Sequence, residues 1–546
     1  MRFSPFIILL LGLSFLIPLG GQSQEKAVIK LDRADRFIGE NINGVTFNFM
    51  IGNVILVRDS TTFYCDSAII DRQNNNFKAF GSVYAIMNDS VELYGDRLTY
   101  DGNTKITHVY DSVKLIDKKA TLYTDYLIYY RLGKKGVYEN GGRIIDKENV
   151  LTSRVGEYYS TLNEYFFRDD VVVTTPDYVI KSDTLRYNTQ SEIVHFKGYS
   201  TLTGKDDFMF AYKGWSDTKN NITSLKTHAT VKHKHHLIYG DSVYYDKERK
   251  YGYAEKNAIL MDTEKEMVVE GQKVEYLLQK GYAYSTDSAF AVLIENRDSL
   301  FLHADTLKML FDTDDEFDRL LAYDKAKFYR KDMQGACDLL IYNMKDSIIS
   351  MYNEPVLWAD KNQLTSDSLK IFMTHKAMDS LVMYNSAFIV SEDSIDTYNQ
   401  IKGRDVVAYF KNNDMYKISV NGNSETVYYI RDEDTKEIIG VNKALASNME
   451  IKLEDRQIIE ILYLDNPQAT LYPQSEISSE EQRLKGFQWL DYNRPRSRED
   501  IFKSPEKIEQ PQIETNAKEK KIEPNKKESQ KTEIKKLNGF KSSKIK

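Results

Sequence analysis

A short pattern of alternating polar and apolar positions recurs along most of the chain. Each copy begins with an acidic residue and continues with any residue, an aliphatic residue, any residue, an aromatic or aliphatic residue and usually Asp or Asn. Because the apolar third and fifth positions are two residues apart, they share one face of a β-strand, which predicts strands with one buried face. The copies begin at Asp66, Asp96, Asp125, Asp183, Asp241, Asp305, Asp338 and Asp367.

The spacing between these copies is nearly constant at first. The first five leading Asp residues are separated by 30, 29, 58 and 58 residues, and 58 is two periods of 29. The later gaps of 64, 33 and 29 residues indicate insertions, and past Asp367 only degenerate copies remain. A fixed period of this length predicts an architecture of stacked repeat units.

A second apolar segment lies between successive copies, for example at residues 79–83 and 109–113. Runs rich in Asn, Asp and Gly, such as residues 74–76 and 101–103, separate the segments and favour tight turns. Each period therefore holds two strands, and we predict an all-β fold in which antiparallel strands stack around an apolar interior. Helical spacing is scarce before residues 479–490.

The amino terminus has the features of a secretory signal peptide. Arg2 provides a short basic segment, residues 6–19 are mostly apolar, and small residues at 20–24 offer a cleavage site. The apolar run is shorter than the ~20 residues that a membrane-spanning helix needs. We therefore predict that residues 1–24 are a signal peptide and that the protein is exported.

Charge is distributed unevenly along the chain. The formal net charge is −7, yet residues 503–546 contain 13 Lys and 7 Glu, so the remainder is strongly acidic. Because nucleic-acid binding requires a basic surface, we expect no nucleic-acid partner. The tail has too few apolar residues to form a core, and we predict that it is disordered. A spacer or solubilising role is favoured over contact with anionic lipid headgroups.

The only two cysteines, Cys65 and Cys337, occupy equivalent repeat positions far apart in the sequence. We expect two small core residues, with a single disulfide bond as the alternative.

Two motifs invite a more specific chemical interpretation. Ser242 lies in residues 240–243 (GDSV), which look like the nucleophile block of a lipolytic hydrolase family. Residues 95–98 occupy the same repeat position without a Ser, and no His and Asp arrangement accompanies Ser242, so the repeat explains this motif better. His233 and His235 would share a strand face, as in a two-imidazole metal site, but Lys232 and Lys234 flank them. We expect the histidine cluster, which also includes His228 and His236, to lie on an outward polar strand.

An acidic run at residues 312–318 resembles a calcium-binding loop in composition. Such a loop needs Gly at its sixth position, where this chain has Phe317. We therefore predict a solvated turn. Taken with the preceding motifs, this predicts a protein that is not an enzyme and that uses no metal and no cofactor.

Four segments are similar, in their order and spacing, to those of a known family. These are residues 52–56 (GNVIL), 63–68 (FYCDSA), 79–83 (AFGSV) and 94–100 (YGDRLTY). Together they resemble the OstA/LptA-like family of lipopolysaccharide-transport proteins, specifically the long OstA-like proteins of the Bacteroidetes type. The likeness covers about residues 29–471. The chain differs from the short bridging members of the family because it is several times longer.

The resemblance implies a twisted β-jellyroll, V-shaped in section, whose apolar groove shields acyl chains in the periplasm during outer-membrane assembly. It implies two kinds of partner: the lipid A moiety of lipopolysaccharide, and other lipopolysaccharide-transport proteins or further copies of the chain, joined end to end by β-strand augmentation. The alternative is a structural or adhesive β-solenoid with a packed, lipid-free core. The expected lipid-binding, inward-facing residues are Ala68, Ile70, Leu98, Tyr100, Leu127, Tyr129, Leu185, Tyr187, Val243 and Tyr245.

The predicted organisation is a signal peptide at 1–24, OstA-like β-jellyroll repeats at 25–200, further OstA-like repeats at 201–475, a short linker or helix at 476–502 and the disordered tail at 503–546.

Overall fold

The computed structural model describes residues 29–503, except 59, 88–90, 118–119, 295–298, 375–376, 412–413, 433 and 456. These residues belong to one structural unit, residues 1–504. The predicted signal peptide and nearly all of the predicted disordered tail lie outside the described residues. Among the described residues, no helix is both long and apolar enough to cross a membrane.

Antiparallel β-strands account for 73% of the described chain. The fold comprises 36 strands in a single sheet, all paired antiparallel, with three short 3₁₀ helices and no α-helix among the described residues. The predicted all-β fold of stacked antiparallel strands is thereby confirmed.

The strands in the first half of the chain are β1 Lys30–Arg33, β2 Arg36–Ile42, β3 Val45–Arg58, β4 Thr61–Asp71, β5 Asn76–Met87, β6 Val91–Asp101, β7 Ile106–Asp117, β8 Ala120–Tyr130, β9 Lys135–Tyr138, β10 Gly142–Asp146, β11 Asn149–Ser153, β12 Val155–Tyr159, β13 Glu164–Thr174, β14 Val179–Asn188, β15 Ile193–Thr203, β16 Asp207–Asp217, β17 Ile222–His233 and β18 His236–Asp246.

The strands in the second half are β19 Tyr251–Asp262, β20 Met267–Leu277, β21 Tyr282–Leu293, β22 Leu300–Phe311, β23 Phe317–Tyr329, β24 Met333–Asn343, β25 Ile348–Tyr352, β26 Val356–Ala359, β27 Asn362–Thr365, β28 Ser368–Thr374, β29 Ala377–Tyr384, β30 Ala387–Ser394, β31 Thr397–Gly403, β32 Asp405–Lys411, β33 Asp414–Arg431, β34 Ile438–Glu454, β35 Gln457–Leu464 and β36 Gln468–Tyr472. The 3₁₀ helices are Leu278–Lys280, Asp491–Asn493 and Asp500–Phe502.

Successive strands pair with one another as a continuous meander. Where the chain forms two short strands in succession, the pair takes the place of one long strand: β9 and β10, for example, both pair with β8. The expected boundary between residues 200 and 201 falls inside β15, which pairs with both β14 and β16.

Most long strands contain an irregularity near their middle that changes which residues face inward. In β4 the pairing register shifts around residues 64–67. Phe63 and Cys65 are buried before the shift, and Ala68 and Ile70 are buried after it. Each long strand therefore has two arms that meet at a corner, and both arms contribute to one continuous hydrophobic core.

The corner explains both recurring sequence segments. The leading Asp of one strand lies over the Gly of the next: a Cβ atom on Gly81 would be 2.3 Å from Asp66 Oδ2, and one on Gly198 would be 2.4 Å from Asp183 Oδ2. Both glycines have positive φ, 73° and 91°. The carboxylate of Asp183 also accepts a hydrogen bond from the N–H of Tyr199 at 2.8 Å. The repeat is therefore a repeated corner, and at these two copies the acidic residue packs against backbone that only glycine leaves open. At other corners, non-glycine residues such as Asp111 and Asn257 have the positive φ.

We expect Gly81→Ala to destabilise the protein more than Gly44→Ala. Gly44 also has positive φ, 83°, but has no heavy atom within 4 Å of the position of a Cβ. The Gly44 variant therefore reports backbone strain alone, about 1 kcal/mol, whereas Gly81→Ala also displaces Asp66, for roughly 2–3 kcal/mol in total. Hydrogen exchange of the amides of the strands around each site measures the difference. Equal effects at the two sites would show that the contact with Asp66 is unimportant.

The turns at the free ends of the two arms form two rows. We call row A the turns 72–75, 102–105, 131–134, 160–163, 189–192, 218–221, 247–250, 278–281 and 312–316. We call row B the turns 147–148, 175–178, 204–206, 234–235, 263–266 and 330–332.

Residues 473–503, which we call the C-terminal strap, include the segment 476–502 that was predicted as a short linker or helix. Residues 479–490 consist of turns and extended segments. The strap is held by buried glutamine side chains of the sheet. Gln400 donates to the carbonyl of Gln482 and accepts from the N–H of Leu484 at 2.7 and 2.8 Å. Gln363 likewise donates to the carbonyl of Gln488 at 2.8 Å and accepts from the N–H of Leu490 at 2.6 Å. The strap is thus an integral part of the folded unit.

Both cysteines are buried and free. Burial raises the pKa of the Cys65 thiol to about 11 and that of the Cys337 thiol to about 12. The expectation of two small core residues is confirmed.

Candidate functional site

The interior between the two arms is the largest apolar feature of the described chain. Among the expected inward-facing residues, Tyr245 is only partly buried. The other nine are at most 5% exposed, namely Ala68, Ile70, Leu98, Tyr100, Leu127, Tyr129, Leu185, Tyr187 and Val243. The structure places them all in or against one core, while their role in binding lipid stays a prediction.

Side chains of the protein fill much of this interior. The rings of Phe63, Phe77 and Tyr100 are in mutual contact, with centroids 5.0 to 5.8 Å apart. Further along, a void of about 10 Å³ lies beside Leu302 and Leu340. A void of this size holds about one water-sized probe. The arms are therefore closely packed in these regions.

The seam, by which we mean the line where row A faces row B, is bridged by polar contacts. Arg58 donates to Asn75 Oδ1 at 2.8 Å and to the carbonyl of Gly102 at 3.0 Å. Tyr187 donates to Asp146 Oδ2 at 2.9 Å. These contacts join the strand ends of row B to those of row A and cover the apolar side chains beneath.

Other residues bridge the seam in the same way. Tyr158 donates to Asp117, and Lys147 pairs with Glu192. Burial, together with the charges of nearby groups that include Asp117, raises the pKa of Tyr158 well above its usual value. Its hydroxyl therefore stays protonated and remains a donor at neutral pH.

The seam opens near the middle of the chain. A cavity of about 510 Å³ lies there between row B turns 175–178 and 204–206 and row A turns 247–250, 278–281 and 312–316. Its apolar lining is Val231, Ile238, Tyr245, Tyr276 and Leu278. A second cavity of about 280 Å³ lies between turns 147–148, 175–178 and 218–221. We call the larger cavity the seam opening, and it is where Tyr245 becomes partly accessible.

Charged groups of both signs surround the seam opening. Lys247 lies 3.6 Å from Asp177 and over the ring of Tyr178. Burial alone would raise the pKa of Asp207, but hydrogen bonds from His233 and Tyr178 and the charge of Lys247 hold it below its usual value. Burial raises the pKa of Tyr245 to about 12. The opening thus combines an apolar floor with an ionised rim.

The sequence did not single out Tyr178, Ile238, Tyr276 or Leu278 as members of this site. Their local patterns are the same as those of other strand and turn residues, and only the positions of the two rows of turns decide which side chains lie under a gap.

The histidines do not lie together on an outward strand as expected. His233 Nδ1 forms a hydrogen bond with Asp207 Oδ1 at 2.6 Å, and His228 Nδ1 forms one with the hydroxyl of Tyr239 at 3.0 Å. His236 is only 4% exposed, so the prediction of an outward-facing residue is wrong there. It is buried because β18 begins at His236, and its ring turns inward against Phe311 and Phe317.

The acidic run at 312–318 does form the expected turn. Asp312 Oδ1 accepts from the N–H groups of Asp314 and Glu316 at 2.9 and 3.0 Å. Ser242 lies in β18 near the corner, where its backbone pairs with Lys226 and Glu255. In the described part of the chain, no histidine forms a hydrogen bond with Ser242.

The fold defines a class of long antiparallel β-stacks with an apolar interior between two arms. Residues 26–183 match the model of a family described as OstA-like protein. Over this region the chain is similar to OstA-like proteins, in agreement with the resemblance found in the sequence.

Among solved structures, the chain is similar to the crystal structure of LptH from Pseudomonas aeruginosa. That protein is described as the LptA homologous periplasmic component of the conserved lipopolysaccharide transport device. The identity is 13%, the match covers 22% of this chain and 82% of that chain, and the TM-score is 0.19. No curated protein matches the chain.

Proposed function

We propose that this protein binds lipopolysaccharide in the periplasm and shields its acyl chains during outer-membrane assembly. The observation that carries the proposal is the seam opening in an OstA-like chain, because it links the surface to the apolar interior. Its volume of about 510 Å³ falls within the range typical of ligand sites. Export by the predicted signal peptide and association with the outer membrane belong to the same proposal.

The physical benefit of such a groove is large. Each CH₂ group removed from water contributes about 0.8 kcal/mol, so an acyl chain held in an apolar interior avoids a high barrier to crossing an aqueous compartment. The opening is too small for several acyl chains at once. Loading therefore requires rows A and B to separate further, which breaks seam contacts such as Tyr187 with Asp146.

One rival function is favoured by a specific observation. Nine of the ten expected lipid-binding residues are already buried by the protein's own side chains, as they would be in a structural β-rod with a solid core. In that case the seam contacts would be permanent and no lipid would be carried.

Mass spectrometry of lipids extracted from the purified full chain separates the two functions. The protein should be purified from a host that makes lipopolysaccharide, and a Tyr245→Asp variant gives the comparison because it places a charge at the floor of the opening. We expect lipid A in the wild-type extract and at least tenfold less in the variant. Lipid A absent from both extracts, or equal in both, would favour the rod.

The two ends of the stack support end-to-end association with transport proteins or with further copies of the chain. Among the described residues, β1 and β2 pair only with β3, and β35 and β36 pair only with β34. Unpaired strand edges offer backbone groups to another chain. Both ends also expose apolar side chains, including Phe37, Ile38, Ile459 and Leu471.

We expect the double variant Ile459→Lys, Leu471→Lys to reduce self-association of the chain at least tenfold in analytical ultracentrifugation. Charged residues on an edge strand oppose pairing with a second edge. Ile395→Lys is the matched control, because Ile395 is 90% exposed in the turn between β30 and β31, away from both ends. Equal association of the control and the double variant would contradict joining through this edge.

A further inference from the structure

Two histidines and three carboxylates meet on the seam, beside the opening. His235 ends the row B turn 234–235, and His236 begins β18 directly after it. Asp262 and Glu264 lie at the next row B turn, and Glu316 ends the row A turn 312–316. Their possible ligand atoms form two overlapping groups in which all atoms lie within 4.8 Å of one another. One group is His236, Asp262 and Glu316, and the other is His235, Glu264 and Glu316.

The first group contains buried polar atoms that form no hydrogen bond, although His236 Nε2 and Asp262 Oδ2 lie 3.4 Å apart as an ion pair. His236 is 4% exposed and Asp262 is fully buried. Among the described residues, His236 Nε2, Asp262 Oδ2 and Glu316 Oε2 have no hydrogen-bond partner. Leaving such groups without hydrogen bonds in the interior is unfavourable, and more so when they are charged. A histidine and two carboxylates held this close together, with these atoms making no hydrogen bond, are an arrangement that a bound cation would complete.

The chemistry of these atoms identifies the class of cation. Imidazole nitrogen with carboxylate oxygen suits Zn²⁺ and similar transition metals, whereas Ca²⁺ and Mg²⁺ prefer oxygen ligands alone. With metal–ligand distances of ~2.0–2.2 Å, neighbouring ligands of a tetrahedral ion lie roughly 3.3–3.6 Å apart. His236 Nε2 and Asp262 Oδ2 are 3.4 Å apart.

We propose that His236, Asp262 and Glu316 bind a divalent transition-metal ion of the zinc class. This site goes beyond the proposed function, since it needs no lipid. Neighbouring groups orient the ligands: His235 Nε2 lies 2.8 Å from the other oxygen of Glu316, and Tyr276 Oη lies 3.4 Å from His236 Nδ1. Metal-bound histidines commonly use their second nitrogen in this way.

A metal ion at this site would link row A to row B. Glu316 belongs to row A, and His236 and Asp262 adjoin row B turns. An ion held by all three therefore links the two rows directly beside the seam opening, whose lining includes His236 and Tyr276. The metal holds this part of the seam closed. The flanking lysines that argued against a metal in the sequence, Lys232 and Lys234, are both exposed.

Titration of the metal-stripped full chain with Zn²⁺ by isothermal calorimetry tests the site. We expect one tight equivalent, and affinity reduced at least roughly 100-fold by His236→Ala or Glu316→Gln and about tenfold by Tyr276→Phe. His228→Ala is the control, because His228 lies outside both groups. Circular dichroism of each metal-free variant checks that it has folded.

Hydrogen exchange provides a second readout that does not depend on lipid. Zn²⁺ should slow exchange in the turns 263–266 and 312–316 of the wild-type chain and leave the His236→Ala variant unchanged. Zn²⁺ binding that is as tight in His236→Ala as in the His228 control, or no tight equivalent in the wild-type chain, would overturn the proposal. Either result would leave the lipid experiment unaffected.

Discussion

A chain that stops after Tyr472 is expected to lose the stability of its carboxyl-terminal repeats. The C-terminal strap buries Ile477, Leu484 and Ile501, each at most 7% exposed. Burial of one such side chain stabilises the fold by about 1.5–3 kcal/mol, so their joint removal costs on the order of 5 kcal/mol or more. It also leaves the buried amides of Gln363 and Gln400 without their strap partners. Hydrogen exchange of β24–β34 measures the loss.

Two comparisons make this test specific. A chain that ends at Ser504 keeps the whole strap and should exchange like the full protein. Strands β4–β8 in the chain ending at Tyr472 should also be unaffected, because in repeat proteins stability depends on neighbouring units. Normal protection of β24–β34 without the strap would show that the strap is a passive extension.

Leu98→Ala is expected to destabilise the amino-terminal repeats by about 2–5 kcal/mol, as for other fully buried leucines. Leu98 has no exposed surface and lies between Ala79 and Val109 on the neighbouring strands. Its neighbour Arg97 points outward and pairs with Asp111. Hydrogen exchange of β5–β7 should therefore change strongly in Leu98→Ala and little in Arg97→Ala. Similar effects at both positions would contradict the assignment of faces.

The sequence predicted which side chains of a strand face inward and that the chain is built from repeats, because both depend on local sequence pattern. Alternation placed Leu98, Leu185 and Val243 inward, because a strand exposes its two faces in turn. The recurring acidic positions indicated a repeat, although their role needed the structure: Asp66 and Gly81 meet only when neighbouring strands bend at the same corner.

Features that depend on distant parts of the chain were beyond the sequence. Nothing local distinguishes Gln400 from other strand glutamines, yet it binds the strap 82 residues away at Gln482. His235 and Glu316 are 81 residues apart and meet only because rows A and B face each other. A linker or helix was expected for the strap because its apolar residues have helix-like spacing. In the structure, its backbone forms hydrogen bonds with side chains of the sheet.

Site-specific photo-crosslinking in cells tests most directly whether the interior of the stack receives acyl chains through the seam opening, as we propose. Tyr245 and Tyr244 are adjacent residues of the same type; Tyr245 lines the opening, whereas Tyr244 stacks on Tyr253 outside it. A crosslinking residue at 245 should capture lipopolysaccharide, and so should one at Leu98 if the lipid travels along the interior. The same residue at 244 or at Arg97 should not. Equal capture at positions 245 and 244, or no capture at 245, would contradict the claim.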